Sequence, residues 1–157
     1  MTYNAATQPP TSPGELPLAL PLYGASFGQA FRRFWRKYAT FSGRASRSEF
    51  WWWYLANVVV VIVLYAFMAV GAFAGATYDA TTGTSQPGPL IGVGAALLVL
   101  WSLATIVPTL AISWRRLHDG NRSGGFWFIG LVPIVGGIVL LVLFALDPDP
   151  QGARFDA

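Results

Sequence analysis

The chain has no cysteine, one histidine (His118) and little charge, with only 11% of its 157 residues ionisable as Asp, Glu, Lys or Arg. Without cysteine there are no disulfides, no thiolate metal sites and no thiol nucleophiles. A lone histidine is a poor basis for zinc, which needs at least three protein ligands, so neither metal nor cofactor is expected. The shortage of charge is the most restrictive absence. An ordinary soluble domain carries about 25% charged residues, and a chain that is 54% hydrophobic cannot clothe a water-facing surface. The basic excess is only +3 and is explained by topology below, so nucleic acid is not an expected partner.

What the chain does have is three long runs without any charge. Residues 50–76 (FWWWYLANVVVVIVLYAFMAVGAFAGA), 90–113 and 125–146 extend for 27, 24 and 22 residues. At about 1.5 Å per residue the shortest reaches about 33 Å, against about 30 Å of hydrocarbon. Helices satisfy their own backbone hydrogen bonds in lipid. The expected fold is therefore all-α: a polytopic membrane protein with three transmembrane helices preceded by a cytoplasmic interfacial amphipathic helix. A cleaved export signal does not fit, because the first apolar run is longer than the roughly 7 to 15 residues of a secretory core and two further runs follow.

The expected organisation has four parts. Residues 1–24, with five of the eleven prolines, read as a flexible tail; 25–48 form the amphipathic segment; 49–147 form the transmembrane domain; 148–157 are a short tail. Lysine and arginine number six before the first run, none in the loop 77–89, three between the second and third runs, and one in the tail. Cytoplasmic segments are the ones enriched in these residues, which places the amino terminus and the second loop of a multi-pass protein in the cytoplasm, with the first loop and the tail outside. If the third run, interrupted by Pro133, Gly136 and Gly137, is a re-entrant hairpin, the tail returns to the cytoplasm as well.

Over residues 26–41 Phe27, Phe31, Phe34, Trp35 and Tyr38 recur at helical spacing, with Gln29, Arg32, Arg33, Arg36 and Lys37 on the other face. Such a helix either lies on the leaflet with its cations toward anionic head groups or packs as a collar on the protein's own helices. Ser46 and Glu49 stand three apart as a capping box at the first run's start. Trp51, Trp52 and Trp53 suit an interfacial aromatic belt. Glu49 can also pair with an arginine of the second loop. Within the runs, Asn57, Thr105 and Thr109 lie at comparable depths for antiparallel neighbours and suit helix packing, as do Gly71 and Gly75.

The stretch SWRRLHDGNRSGGFWF, residues 113–128, concentrates the remaining charge. Arg115, Arg116 and His118 suit the carboxyl end of a helix dipole, Gly120 a helix stop and Ser123 a cap. Arg115 and Asp119, four apart, can pair on one face. That leaves Arg116 and Arg122 as a phosphate cradle beside the next helix's amino terminus, with a phospholipid head group as the nearest ligand. His118 and Asp119, adjacent in sequence, do not face each other on a helix, and no catalytic residue is assigned. An enzyme acting on head groups would need a pocket uniting His118, Asp119 and Glu49.

The segments FSGRASRSEFWWWYLAN and RRLHDGNRSGGFWFIGLVPIVG resemble the signature stretches of domain-of-unknown-function family 805, small bacterial inner-membrane proteins of the YhaH type. The resemblance covers about residues 34–155. The family's glycine-rich tail is replaced here by DPDPQGARFDA, with Ala153 and Asp156 where that pattern differs. The resemblance implies a bacterial cytoplasmic-membrane location and no activity. The expected function is thus a non-enzymatic membrane protein whose basic cytoplasmic face engages anionic lipid or a membrane protein partner; the alternative is a small transporter or channel-like subunit acting as a homo-oligomer.

Overall fold

The structure, a computed structural model, describes residues 17, 18 and 20–156. Within them the helices are α1 (Phe27–Arg36), α2 (Arg47–Phe73), α3 (Leu90–Asp119) and α4 (Val135–Ala145). A small antiparallel hairpin, β1 (Thr77–Asp79) with β2 (Thr84–Gln86), joins α2 to α3. Two 3-10 segments, Gly124–Leu131 and Pro150–Phe155, flank α4.

Helices α2 and α3 are long and apolar enough to cross a membrane, at 27 and 30 residues with a mean hydropathy of 2.4 in the most apolar stretch of each. Only 6% and 11% of those stretches are buried within the protein. Residues such as Ile62, Val63, Leu100 and Leu103 face outward, the reverse of a soluble protein's core helix. The two pair closely near the hairpin because Gly71 and Gly94 carry no side chain: a Cβ there would stand 2.8 Å from Leu90 Cβ and 2.3 Å from Met68 Cγ. Gly75 does not share this role. It lies beyond the end of α2 at φ +77°, where a turn needs the left-handed conformation.

Pro108 sits inside α3. Lacking an N–H, it leaves the carbonyl of Ala104, four residues earlier, without a helical donor. The Tyr38 hydroxyl donates to that carbonyl at 2.8 Å, so a break in one helix is repaired from the segment after another.

Helix α1 is shorter than the 26–41 segment suggests. Ser26 and Gln29 form its capping box, and Lys37 ends it. It packs on α2 as a collar: Phe34 stacks on Trp53 with ring centroids 3.3 Å apart, and both join Phe50, Ile112, Leu117 and Phe144 in the core. The buried stripe is Ala30, Arg33, Phe34 and Lys37, spaced i, i+3, i+4 and i+7. Arg33 and Lys37 are therefore inside the protein and not on the outward basic face expected of them.

The third apolar run is not one 22-residue helix. It enters as the 3-10 segment Gly124–Leu131, reverses at residues 132–134, and returns as the 11 residues of α4, about 16 Å long. Pro133 disfavours helical geometry at Val132, and Ile134 takes φ +67°. The limbs close at Gly136, where a Cβ would lie 2.0 Å from the Ile129 carbonyl oxygen. Both ends of the run meet the carboxyl end of α3: Gly124 fits under Trp114, and the Phe144 carbonyl accepts from Arg116 at 2.9 Å. The described residues thus hold two helices of membrane length, and the third run, expected as one spanning helix, is two short limbs folded back on each other.

Most of the expected 1–24 tail, residues 1–16 and 19, lies outside the described residues. Its last part is tied down: Leu22 N–H donates to Glu49 at 3.1 Å and Leu22 C=O accepts from Ser46 at 2.6 Å. Residues 20–24 thus belong to the folded end.

Candidate functional site

Every residue from Ala111 to Asp119 except Trp114 is buried. The charged end of α3 is enclosed by α1, the start of α2, the end of α4 and the carboxyl tail, forming an ionic cap at one end of the molecule.

Two carboxylates organise it. Glu49, 2% exposed, accepts from Arg33 Nε at 2.5 Å through one oxygen, and from the backbone N–H of Ser46 and Leu22 at 3.0 and 3.1 Å through the other. The capping box and an ion pair coexist, but the arginine comes from α1 and not from the second loop. Asp119, fully enclosed, accepts from Arg116 Nη1 at 2.6 Å and from the Tyr23 hydroxyl at 2.7 Å, with Arg44 at 3.9 Å. Burial, then the hydrogen bond to Asp119, raises the Tyr23 phenol to about 12.

The expected pairing of Arg115 with Asp119 is replaced by Arg116 with Asp119. Arg116 also donates to the carbonyls of Phe144 and Leu146 at the end of α4, where helix carbonyls lack partners. One guanidinium therefore ties the end of α3 to the end of α4. Arg116 is no free arm of a phosphate cradle; Arg122, half-buried, donates to Gly120 C=O at 3.2 Å. Helix α3 stops at Gly120, but Asn121 takes the left-handed conformation, φ +56°. Ser123 caps the following segment by accepting from Gly125 N–H.

His118 is held flat on Phe155, ring centroids 4.0 Å apart, with Nδ1 3.1 Å from the Gly43 carbonyl. The tail is anchored by Arg44, which grips both oxygens of Asp156 at 2.9 and 2.7 Å; the hydrogen bond to Asp156 raises the Arg44 pKa. Gly152 allows the tail to approach, since a Cβ there would lie 2.5 Å from the His118 carbonyl oxygen. His118, Asp119 and Glu49 thus engage separate intrachain partners.

Lys37 is the odd member. It is 3% exposed, and its Nζ has no hydrogen-bond partner. Burial first, and Arg115 second, lower its pKa to about 7.

Between the long helices, Trp101 Nε1 donates to Asn57 at 2.9 Å and Trp53 Nε1 to Thr109 at 3.2 Å. Asn57 and Thr109 do bridge neighbours, through tryptophans and not through each other. Thr105 donates to its own helix at Trp101 C=O, 2.8 Å. A cleft of about 380 Å³, lined in part by Asn57, Trp101, Thr105, Thr109 and Trp127, opens beside them.

Sequence reasoning missed Tyr23, Tyr38, Arg44 and Asp156. Only Tyr38 left a local signal, the carbonyl that Pro108 strands, and that signal names a need without naming the donor.

The comparisons point the same way. Inner membrane protein YhaI of Escherichia coli is 34% identical over 121 residues, 76% of this chain and 86% of the relative. Inner membrane protein YhaH of Escherichia coli is 28% identical over 120 residues, 76% of this chain and 87% of the relative. No solved structure matches the chain significantly. The family model described as "Protein of unknown function (DUF805)" matches residues 38–157, a stretch that takes in α2, α3, the in-and-back hairpin and the docked tail: the chain belongs to the DUF805 family.

Proposed function

We propose that the protein is a non-enzymatic, multi-pass protein of the bacterial cytoplasmic membrane, with both described ends cytoplasmic and a basic cap that engages anionic phospholipid head groups. The observation that carries this reading is the distribution of charge. All ten lysines and arginines lie in residues 32–47, 115–122 and 154, and residues 77–89 at the opposite end hold none. Arg154 joins the set because its guanidinium donates to Asn121 C=O at 3.2 Å. Lysine and arginine collect on the cytoplasmic side. The names of the Escherichia coli relatives support the same membrane.

Arg32, Arg36 and Arg154 are exposed on this cap, and a cation near an anionic leaflet gains about 1 kcal/mol. A protein partner on the same face is the competing occupant. The test has two arms. A fluorescent protein that folds only in the cytoplasm, fused after residue 157, fluoresces, whereas a phosphatase active only outside works when inserted at residues 80–83; dark carboxyl fusions overturn the topology. Native mass spectrometry of Arg32→Ala with Arg122→Ala shows several-fold less retained phosphatidylglycerol; unchanged retention turns the reading toward a protein partner.

A second reading, solute passage through an oligomer, draws on the cleft at Asn57 and Thr109. Under it Thr105→Val and Asn57→Leu abolish flux. The Thr105 hydroxyl is already engaged within α3, which favours the lipid-engaging reading.

A further inference from the structure

The contacts between the long helices leave hydrogens unspent at membrane depth. Trp101 Nε1 fills the Asn57 side-chain oxygen and Trp53 Nε1 fills the Thr109 hydroxyl oxygen. An indole N–H only donates, so each tryptophan takes up an acceptor and leaves its partner's own hydrogens for something else. Among the described residues, neither the Asn57 amide nor the Thr109 hydroxyl donates to a protein atom. The Asn57 nitrogen is not among the atoms sealed inside the protein without a partner, so it reaches open space. Asn57 stands seven residues beyond Phe50, about 10 Å into the apolar run. Water is not there to accept, and an unanswered donor in hydrocarbon is costly.

Both groups line open space. The cleft of about 380 Å³ has Trp101 and Trp127 in its wall and Ile106, 57% exposed, at its edge, so it opens toward lipid. A second cavity of about 220 Å³, also lined by Asn57 and Thr109, extends to Gly137 and Phe144 of the hairpin. Ser102 and Thr105 in the cleft wall give their hydrogens to the carbonyls of Leu98 and Trp101 and keep lone pairs to accept with. An occupant must therefore be mostly apolar, flat enough to lie against tryptophan, and able to bring an acceptor to Asn57. An acyl chain brings none, and the ester carbonyls of bilayer lipid lie in the interfacial layer outside the hydrocarbon. A second copy of this chain would offer the outward faces of α2 and α3, where residues such as Ile62 and Leu103 are exposed. A quinone dissolved in the membrane meets all three demands. Its carbonyl takes the Asn57 amide, its ring fits a cleft at the small end of the roughly 300 to 1,000 Å³ usual for ligand sites, and its apolar tail leaves into lipid.

We propose that the cleft between α2, α3 and the hairpin binds a membrane-dissolved quinone, with the Asn57 amide donating to a ring carbonyl, the Thr109 hydroxyl as a further donor and Trp101 and Trp127 as aromatic walls. The site binds and orients the ring, and no redox step is assigned to it. The hydroxyl lone pairs of Ser102 and Thr105 suit the ring hydroxyls of the reduced form. Trp101 is held by Asn57 before a ligand arrives and lies against Trp53, ring centroids 6.2 Å apart, so the wall is already in place and binding loses less to ordering. The inference rests on the membrane reading above and is independent of the head-group attraction at the cap.

The test uses the full chain in detergent, titrated with a dimethoxy-methyl-benzoquinone carrying a decyl tail and read by quenching of tryptophan fluorescence. Quenching saturates, and the quinone raises the thermal midpoint. The matching decyl-substituted methoxytoluene, a similar ring without carbonyls, competes about tenfold more weakly or worse, because the donors then go unanswered. Asn57→Leu lowers quinone affinity about tenfold and leaves that of the carbonyl-free ring nearly unchanged, a loss of discrimination that a merely loosened helix pair does not produce. Thr109→Val shows the same loss more weakly and takes its place if Asn57→Leu does not fold. Leu103→Ala, on the outward face, leaves binding unchanged. Quenching that grows without saturating, or that is equal in wild type and both variants, reports partition into the micelle and overturns the proposal. Equal binding of the two rings overturns it in favour of an acyl-chain groove, and a dimer that Asn57→Leu splits overturns it in favour of a second copy. Arg32→Ala with Arg122→Ala leaves quinone binding unchanged, which separates failure of this site from failure of the cap reading.

Discussion

The two ends of the helical pair are built on opposite principles. At the cap, most polar groups are buried and bound to one another, Lys37 Nζ and Arg115 Nη2 being left over; at the hairpin end, β1 and β2 are fully exposed and Asp79 answers only to its own turn, accepting from Thr81 N–H at 2.8 Å. Between them α2 and α3 present apolar surface outward. The difference teaches where the fold's uniqueness lies. Apolar helices in lipid gain little from burial against each other, so the register of α1, α2, α3, α4 and the tail is set where charges and orphan carbonyls must find particular partners.

The strongest way to break the comparison is to remove a carboxylate from the cap. Asp119→Ala strands Arg116, the Tyr23 hydroxyl and part of Arg44, and leaving a buried charge unpaired costs about 3 to 5 kcal/mol. Thermal unfolding in detergent should show a large drop, with poor yield. Asp79→Ala, at the exposed end, should leave the thermal midpoint close to that of the wild type. Equal effects would dissolve the distinction between the ends.

The in-and-back hairpin is the next target. At Gly136 an added Cβ meets the Ile129 backbone oxygen, which cannot swing aside. Gly136→Ala should destabilise by about 1 to 3 kcal/mol, read by thermal unfolding. Gly92→Ala in α3, where nothing lies within 4 Å, should be neutral or slightly stabilising, since alanine favours helix. A neutral Gly136→Ala would mean that the limbs do not close as described.

A pH titration sharpens the cap further. Lys37 in the folded protein titrates near 7 against an ordinary 10.5. Between these values the unfolded chain binds the extra proton, so stability rises with pH from about 7 to about 10. Below about 7 both states carry the proton and this contribution is flat. Lys37→Met should remove the rise, a difference of a few degrees in midpoint. A parallel rise in the variant would assign the slope to another group.

Much of this was legible in sequence, and the boundary is physical. Helices α2 and α3, the Ser46 and Glu49 box and the one-sidedness of the cations follow from runs, spacing and counting, which are local or additive. The pairing of Arg116 in place of Arg115 was not legible, because it depends on where the carbonyls of Phe144 and Leu146 arrive, about 30 residues away. Lys37 and Arg33 were misplaced for a related reason. Their helical stripe is the same as that of Phe34, and the position of Glu49 under α1, which answers Arg33 but leaves Lys37 without an acceptor, is not given by local sequence. The hairpin was legible as an option through Pro133 and Gly136, but length alone favoured a span.

The smallest expected effect is the most specific. Tyr38→Phe removes a hydroxyl whose acceptor, Ala104 C=O, is orphaned only because Pro108 lacks an N–H. The loss should be about 1 kcal/mol, the usual net value of one hydrogen bond. Pro108→Ala returns a helical donor to that carbonyl, so in its background Tyr38→Phe should cost close to nothing. Adding the two single changes then overestimates the double variant's loss, a coupling that thermal unfolding of the four proteins resolves. Strict additivity would show that the Tyr38 hydroxyl stabilises α3 by some route other than the carbonyl that Pro108 strands, and would detach this join between the collar and the membrane-length helices from the ionic cap.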